Sequence, residues 1–428
     1  MKFCLLFSCI VLAGCQRQAP VPVPSGEEAE SPLPRPAEEV KDNANEIALQ
    51  GKGLPHATRE ALISTDWQTS ACAFSPDNKY LVLGSRVPWK KNLGLWGLST
   101  GKIIRFFERN PRERNEITKI FCLPGGKEFI SLSNNGFMKS WRFFQSTAVA
   151  SFDLGSDNSM AALHSDGKQL LLAAPGPSLK NVDVTTGKPL WTIEDLRPIK
   201  ILLYPNGKDA FVRESKWDKE AKNYLEYEKV LAIETGKLKA FDPGNRRLLE
   251  IPPHGNLAIM ISRLPDRFLL VDWPGGKIKT DLEYESGQFS VGLFAFNRAN
   301  TRLYGVDLSP SPKGTMLRAW DLTTGKQIWS VALTAPVANY KPIFNKKGQQ
   351  INKTPEYPRG LCFSPDAKYL LVQLETTQSG PPRNYDPAVS TETRVYYSLA
   401  LWDVEQGKEI RRLEYPTDAM VDDPVIKK

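Results

Sequence analysis

An all-β fold, a propeller of about seven four-stranded blades, is what this 428-residue sequence predicts, and three observations predict it. The first is a phrase written near both ends, "AFSPDNKYLVLGS" from Ala73 and "CFSPDAKYLLVQL" from Cys362, with looser copies between them. These are "FCLPGGKEFISLS" from Phe121, "LHSDGKQLLLAA" from Leu163, "LYPNGKDAFVRE" from Leu203, "IPPHGNLAIMIS" from Ile251 and "AFNRANTRLYGVD" from Ala295. The second is a companion phrase after each copy, such as "LWGLSTGKIIRFF", "VDVTTGKPLWTI", "AWDLTTGKQIWSV" and "LWDVEQGKEIRRL". The third is the spacing: the pair of phrases returns about every forty to fifty residues, the period of a propeller blade.

Each first phrase is an apolar strand, a turn of Gly, Asn, Asp or Pro, and a second apolar strand, which is hairpin chemistry. Each companion is a third strand, a turn that needs Gly at positive φ, and a fourth strand. One such sheet cannot cover both of its faces, but sheets stacked in a closed ring cover each other and leave no long exposed flank. The blades fall near 71–107, 118–153, 160–193, 200–241, 247–282, 291–333 and 360–413. "PIFNKKGQQI", from Pro342 to Ile351, mimics a first hairpin and raises an eighth blade as an alternative. "ALIST", Ala61 to Thr65, is left over as an extra outer strand for the closing blade.

Over roughly residues 70–415 the sequence resembles the WD40-type repeat family, through "FSPD", "AWDLTTGK" and "LWDVEQGK". It departs from that family in lacking a Gly-His dipeptide before any blade and in keeping the Trp-Asp pair only as Trp320-Asp321 and Trp402-Asp403. The family's His/Ser/Trp/Asp hydrogen-bonded tetrad therefore cannot form in most blades, and the resemblance is to a divergent bacterial propeller.

Ahead of the repeats, "MKFCLLFSCIVLAGC" sets Lys2 before an apolar run and small residues before Cys15, the pattern of a secretory signal over residues 1–14. "LAGC" resembles the lipobox of bacterial lipoproteins, which implies cleavage before Cys15, lipidation of its thiol (diacylglycerol, with a palmitate-type acyl chain on the new amino terminus) and anchoring to a bacterial membrane. Gln16 is not the Asp that retains some lipoproteins at the inner membrane, so the outer membrane is expected in a diderm cell. Residues 15–57 alternate Pro with paired Glu and read as a disordered linker, leaving 58–415 for the propeller and 416–428 as a tail. Because residues 16–57 carry 4 basic and 7 acidic side chains and the signal segment carries Lys2, the net +8 of the chain leaves about +10 on the body. Cys72, Cys122 and Cys362 lie in apolar strands and read as small buried thiols.

Strand direction separates two faces. The turns inside the hairpins carry Lys79, Lys127, Lys168, Lys208 and Lys368, and the turns inside the companion phrases carry Lys102, Lys188, Lys237, Lys277, Lys326 and Lys408, all on one side. That side is a candidate basic face for anionic headgroups or polymers. The other side takes long connections, "RVPWKKN", "ESKWDKEAKNYLEYEK", "APVANYKPIFNKKGQQINKTPEYPR" and "ETTQSGPPRNYDPAVSTETR", which read as irregular loops. They bring Trp89, Trp217, Tyr224, Tyr227, Tyr340, Tyr357 and Tyr385 to one surface as candidate partner-binding residues.

Catalytic vocabulary is missing from the sequence: it has no Gly-rich phosphate loop, His-Glu-x-x-His, Gly-x-Ser-x-Gly or Asp-rich calcium loop, and only 3 His. Glu214, Asp218, Glu226 and Glu228 alternate with Lys216, Lys219 and Lys229 and read as a solvated charged loop. The expectation is a non-catalytic, monomeric propeller needing no metal or cofactor, binding a protein partner in the cell envelope and no nucleic acid. The alternative is an extracytoplasmic propeller hydrolase or lactonase with its site in the central channel. In layout only, the chain also resembles the lipoprotein propeller of the outer-membrane barrel-assembly machinery.

Overall fold

In a computed structural model, the described residues are 69–413 apart from 86–91, 109–115, 156–159, 175, 221, 253, 264–265, 285–290, 308–314, 335–342, 345–349, 354–356 and 380–392. The signal segment, Cys15, the linker, Ala61–Thr65, the tail, and Trp89, Tyr340 and Tyr385 all lie outside the described residues.

Among the described residues every regular element is a strand, and the strands form a propeller of seven antiparallel blades in sequence order. Blade 1 is β1 (Thr69–Phe74), β2 (Tyr80–Ser85), β3 (Leu93–Gly97) and β4 (Ile103–Phe106). Blade 2 is β5 (Ile117–Cys122), β6 (Glu128–Ser133), β7 (Phe137–Arg142) and β8 (Ala150–Asp153). Blade 3 is β9 (Ala161–Leu163), β10 (Gln169–Ala174), β11 (Ser178–Asp183) and β12 (Pro189–Glu194). Blade 4 is β13 (Pro198–Leu203), β14 (Asp209–Asp218), β15 (Asn223–Ala232) and β16 (Lys237–Ala240). Blade 5 is β17 (Arg246–Glu250), β18 (Leu257–Arg263), β19 (Asp266–Asp272) and β20 (Lys277–Leu282). Blade 6 is β21 (Val291–Phe296), β22 (Arg302–Asp307), β23 (Met316–Asp321) and β24 (Gln327–Ala332). The last sheet holds β25 (Ile343–Phe344), β26 (Gln350–Lys353), β27 (Tyr357–Phe363), β28 (Tyr369–Ser379), β29 (Thr393–Asp403) and β30 (Lys408–Leu413).

The eighth-blade alternative is thereby corrected. Ile343–Phe344 and Gln350–Lys353 form a hairpin, but β26 pairs with the far end of β28, Asn352 opposite Ser379, so it enlarges blade 7. Only three positions separate Lys353 from Tyr357, too few for the two further strands a separate blade would need.

Burial explains why the second strand of each blade is the most apolar. β2 and β6 are buried along nearly their whole length, whereas β12 and β24 alternate between exposed and half-buried. A strand sandwiched between neighbouring blades needs apolar side chains on both faces; an outermost strand needs them on one. The resulting core is divided among the junctions. Leu83 and Trp96 of blade 1 meet Leu371 and Leu399 of blade 7, while Val82 and Leu95 meet Phe129 and Trp141 of blade 2. Five further clusters join blades 2 to 3, 3 to 4, 4 to 5, 5 to 6 and 6 to 7, so every junction around the ring has its own core.

The repeated phrases are turn chemistry. In blade 1 Ser75 Oγ donates to Asp77 at 2.6 Å and accepts from the Tyr80 amide at 2.9 Å; in blade 7 Ser364 does the same with Asp366 and Tyr369 at 2.7 and 2.9 Å. The aspartates of the companion phrases also cap turns: Asp183 accepts from the Thr186 amide and Asp321 from the Thr324 amide, both at 2.8 Å. This is the local side-chain-to-backbone bonding that favours Asp and Ser at turns.

Candidate functional site

In blade 4, β14 and β15 run past their neighbours and pair with one another to the tip, Asp218 opposite Asn223, and in blade 7 β28 and β29 do the same as far as Ser379 opposite Thr393, so both ends of the 375–394 segment expected as an irregular loop are also ladder. β13 pairs with β14 only as far as Glu214, and β16 with β15 only from Lys229. Residues 216–218 and 223–227 thus form a two-stranded arm rising from the ring face opposite the lysine turns. The segment expected as an irregular loop is ordered ladder, a correction with a visible cause. Tyr224, Glu226 and Glu228 alternate with Leu225, Tyr227 and Lys229, the period-two pattern of a strand.

A two-stranded ribbon is marginal by itself, and this one is fixed by charge at its root. Residues directly opposite share a face, so Trp217 and Tyr224, Ser215 and Glu226, and Arg213 and Glu228 line one side of the arm. On that side Arg213, only 4% exposed, donates to Glu228 from Nε at 3.0 Å and Nη2 at 2.6 Å, and to the Leu248 carbonyl of blade 5 at 2.7 Å. Arg247 of blade 5 reaches Glu226 at 2.9 Å. On the reverse side Lys229 bonds the buried Glu214 at 2.6 Å. Of the charges expected to be solvated, Lys216 and Lys219 are exposed, whereas Glu226 and Glu228 face blade 5, which supplies a cation and a backbone acceptor, and Glu214 is buried against Lys229 on the reverse side.

The network continues onto the innermost strands. Lys200 of β13 donates to the Leu249 carbonyl, and Glu250 lies next to it on β17. Burial pushes the Glu250 carboxyl up to about 7, although Lys200 and the Ile251 amide pull the other way. Burial likewise lowers Lys200, with Glu250 opposing. Among the described residues no three His, Cys, Asp or Glu side chains converge at metal-ligand spacing.

Beyond the charged root the arm turns aromatic. Trp217 and Tyr224 meet edge to face, centroids 5.1 Å apart at 71°, each 51% exposed. Leu225 and Tyr227 on the reverse side are exposed as well, at 37% and 40%. Of the aromatics singled out in the sequence, the fold thus brings Trp217, Tyr224 and Tyr227 onto one arm. Tyr357 opens β27 in the innermost position of blade 7 and is not on a loop.

The lysine set Lys79, Lys102, Lys127, Lys168, Lys188, Lys208, Lys237, Lys277, Lys326, Lys368 and Lys408 is exposed throughout and lies in turns of one face. Carboxylates are interleaved with it: Asp77, Asp166 and Asp366 accept from the amides of Lys79, Lys168 and Lys368 in the same turns. Alternating signs at that spacing leave no broad field of one sign.

Compared with known protein families and with curated proteins, the chain matches none. The arm's geometry therefore carries the functional argument.

Proposed function

We propose that this protein is a non-catalytic interaction platform of the bacterial cell envelope, lipid-anchored through Cys15, in which the propeller holds the blade 4 arm out to a protein partner. The observation that carries the reading is the pairing of a braced root with an uncovered apolar tip. Rigid aromatic anchors are the side chains that dominate protein interfaces, and pre-organisation lowers the entropy cost of using them. The unpaired outer edge of 223–227 adds backbone donors and acceptors, which fit addition of a partner strand. Signal, lipobox and acidic linker support the anchored location.

The test is site-specific photocrosslinking from position 217 or 224 in intact cells, followed by identification of what is joined. A single reproducible envelope protein, lost in the Trp217→Ala/Tyr224→Ala variant while a distant probe on β20 stays silent, is the expected result. Equal crosslinking from arm and β20 would sink the arm as the binding element. For the anchor, Cys15→Ser is expected to leave the membrane fraction after a salt wash; its retention there contradicts lipid attachment.

Glu250 favours a second reading, the extracytoplasmic propeller hydrolase with a channel site, since a carboxyl near 7 beside a lysine is suited to proton transfer. Hydrolysis of a lactone or ester panel that disappears in Glu250→Gln would establish it; activity unchanged by that substitution would remove it.

A further inference from the structure

Three cysteines sit on the innermost strands of three consecutive blades: Cys362 on β27, Cys72 on β1 and Cys122 on β5. Their placement relative to the repeat decides which can meet. Cys72 lies three residues before Ser75, whereas Cys362 lies two residues before the equivalent Ser364. Side chains on a strand alternate between its two faces. Neighbouring blades meet through opposite faces, so an offset of one residue is what points the two thiols at each other across the closing junction. Both pack on the apolar cluster shared by blades 7 and 1, and the Cys362 sulfur lies 3.5 Å from the Cys72 carbonyl oxygen. Both residues are only half-buried. Cys122 has the same strand parity as Cys72 and packs on the blade 1 to 2 cluster, one junction further round the ring.

We propose that Cys72 and Cys362 are an oxidation site at which a disulfide bonds the first blade covalently to the last. The oxidant is a small disulfide such as oxidised glutathione. One cysteine thiolate attacks its S–S bond, forming a mixed disulfide and releasing one glutathione thiol. The second cysteine then attacks the protein sulfur, forming the Cys72–Cys362 bond and expelling the second glutathione. Two protein S–H bonds are lost, one protein S–S bond forms, the oxidant's S–S bond is reduced, and the two protons leave on glutathione. The neighbouring Cys72, and after it burial, hold the Cys362 thiol well above its ordinary range, so alkaline conditions accelerate closure. Cys122 packs in the cluster of the next junction, so placement leaves it outside the pair.

The full chain is incubated with oxidised glutathione at mildly alkaline pH, its remaining thiols are alkylated, and the protein is digested without reductant. The expected result is a linked peptide containing Cys72 and Cys362, abolished by reductant and by Cys362→Ser but intact in Cys122→Ser. The oxidised form is expected to unfold at higher denaturant than the reduced form, because a cross-link spanning 290 residues restricts the unfolded chain. Stable glutathione adducts on Cys72 or Cys362 without the linked peptide, or a link through Cys122, would overturn the assignment. Cys362→Ser need not fold for this: mapping of the unsubstituted chain alone decides the pairing.

Discussion

The side-chain amide of Asn78 donates to the carboxylate of Asp366 at 2.7 Å, joining the innermost turns of blades 1 and 7 across a sequence separation of 288. Asp366 also accepts from Ser364 and from the Lys368 amide, so it organises its own turn as well as the junction. Asn78→Ala is expected to cost about 1 kcal/mol and Asp366→Ala more, with a coupling of about 1 kcal/mol in a double-mutant cycle read by urea unfolding. Additive effects would show that the bond contributes nothing to closing the ring.

Arg213 gives the largest expected effect at the arm. Arg213→Ala strands Glu228 at the junction with blade 5, and loss of one partner of a buried pair typically costs about 3–5 kcal/mol. Replacing both residues by Met is expected to recover much of that loss. Denaturant midpoints of the two variants check it.

Glu250 sets a pH dependence whose sign follows from its raised value. Its folded value of about 7 exceeds the ordinary 4.5, so the folded protein binds the extra proton between them. Stability from this group is greatest below the unfolded value and declines as pH rises towards 7. Glu250→Gln is therefore expected to be more stable than the parent at pH 8, by up to about 3 kcal/mol, with the gap closing below pH 4. Unfolding curves collected across that range measure the gap directly.

Two turn glycines separate backbone strain from collision. Gly325 has φ +73°, and a Cβ there would lie 2.2 Å from the Asp281 carbonyl oxygen of blade 5. Gly276 has φ +69° but only the Arg246 guanidinium nearby, at 3.8 Å. Gly276→Ala is expected to cost about 1 kcal/mol from its left-handed backbone alone, and Gly325→Ala at least about 3 kcal/mol, because the blades must move apart. Similar melting temperatures for the two variants would contradict this.

The blades were legible because their signals are local. Ser75, Asp77, Ser364 and Asp366 bond within their own turns, so the same few residues announce the same turn wherever they recur. The arm was also written locally, in the alternation of Tyr224, Glu226 and Glu228 against Leu225 and Tyr227, but density of charge made a loop the simpler reading. What could not be read was the company kept across junctions. Arg213 is buried by Leu248, 35 residues on, and Cys362 finds Cys72 from 290 residues away. The first pair meets only when blades 4 and 5 pack, and the second only when the ring closes.

That closure has a consequence for how the chain could be rewired. Each blade is made from one continuous stretch, and among the described residues no strand is shared between blade 1 and blade 7; they meet through side chains, with Arg411 reaching the Ser99 carbonyl at the rim. The junction between first and last blade is then of the same kind as the other six. Circular permutants that tie the end of β30 to the start of β1 and open the chain between blades 2 and 3 should fold to the same ring, with the same arm in the same place.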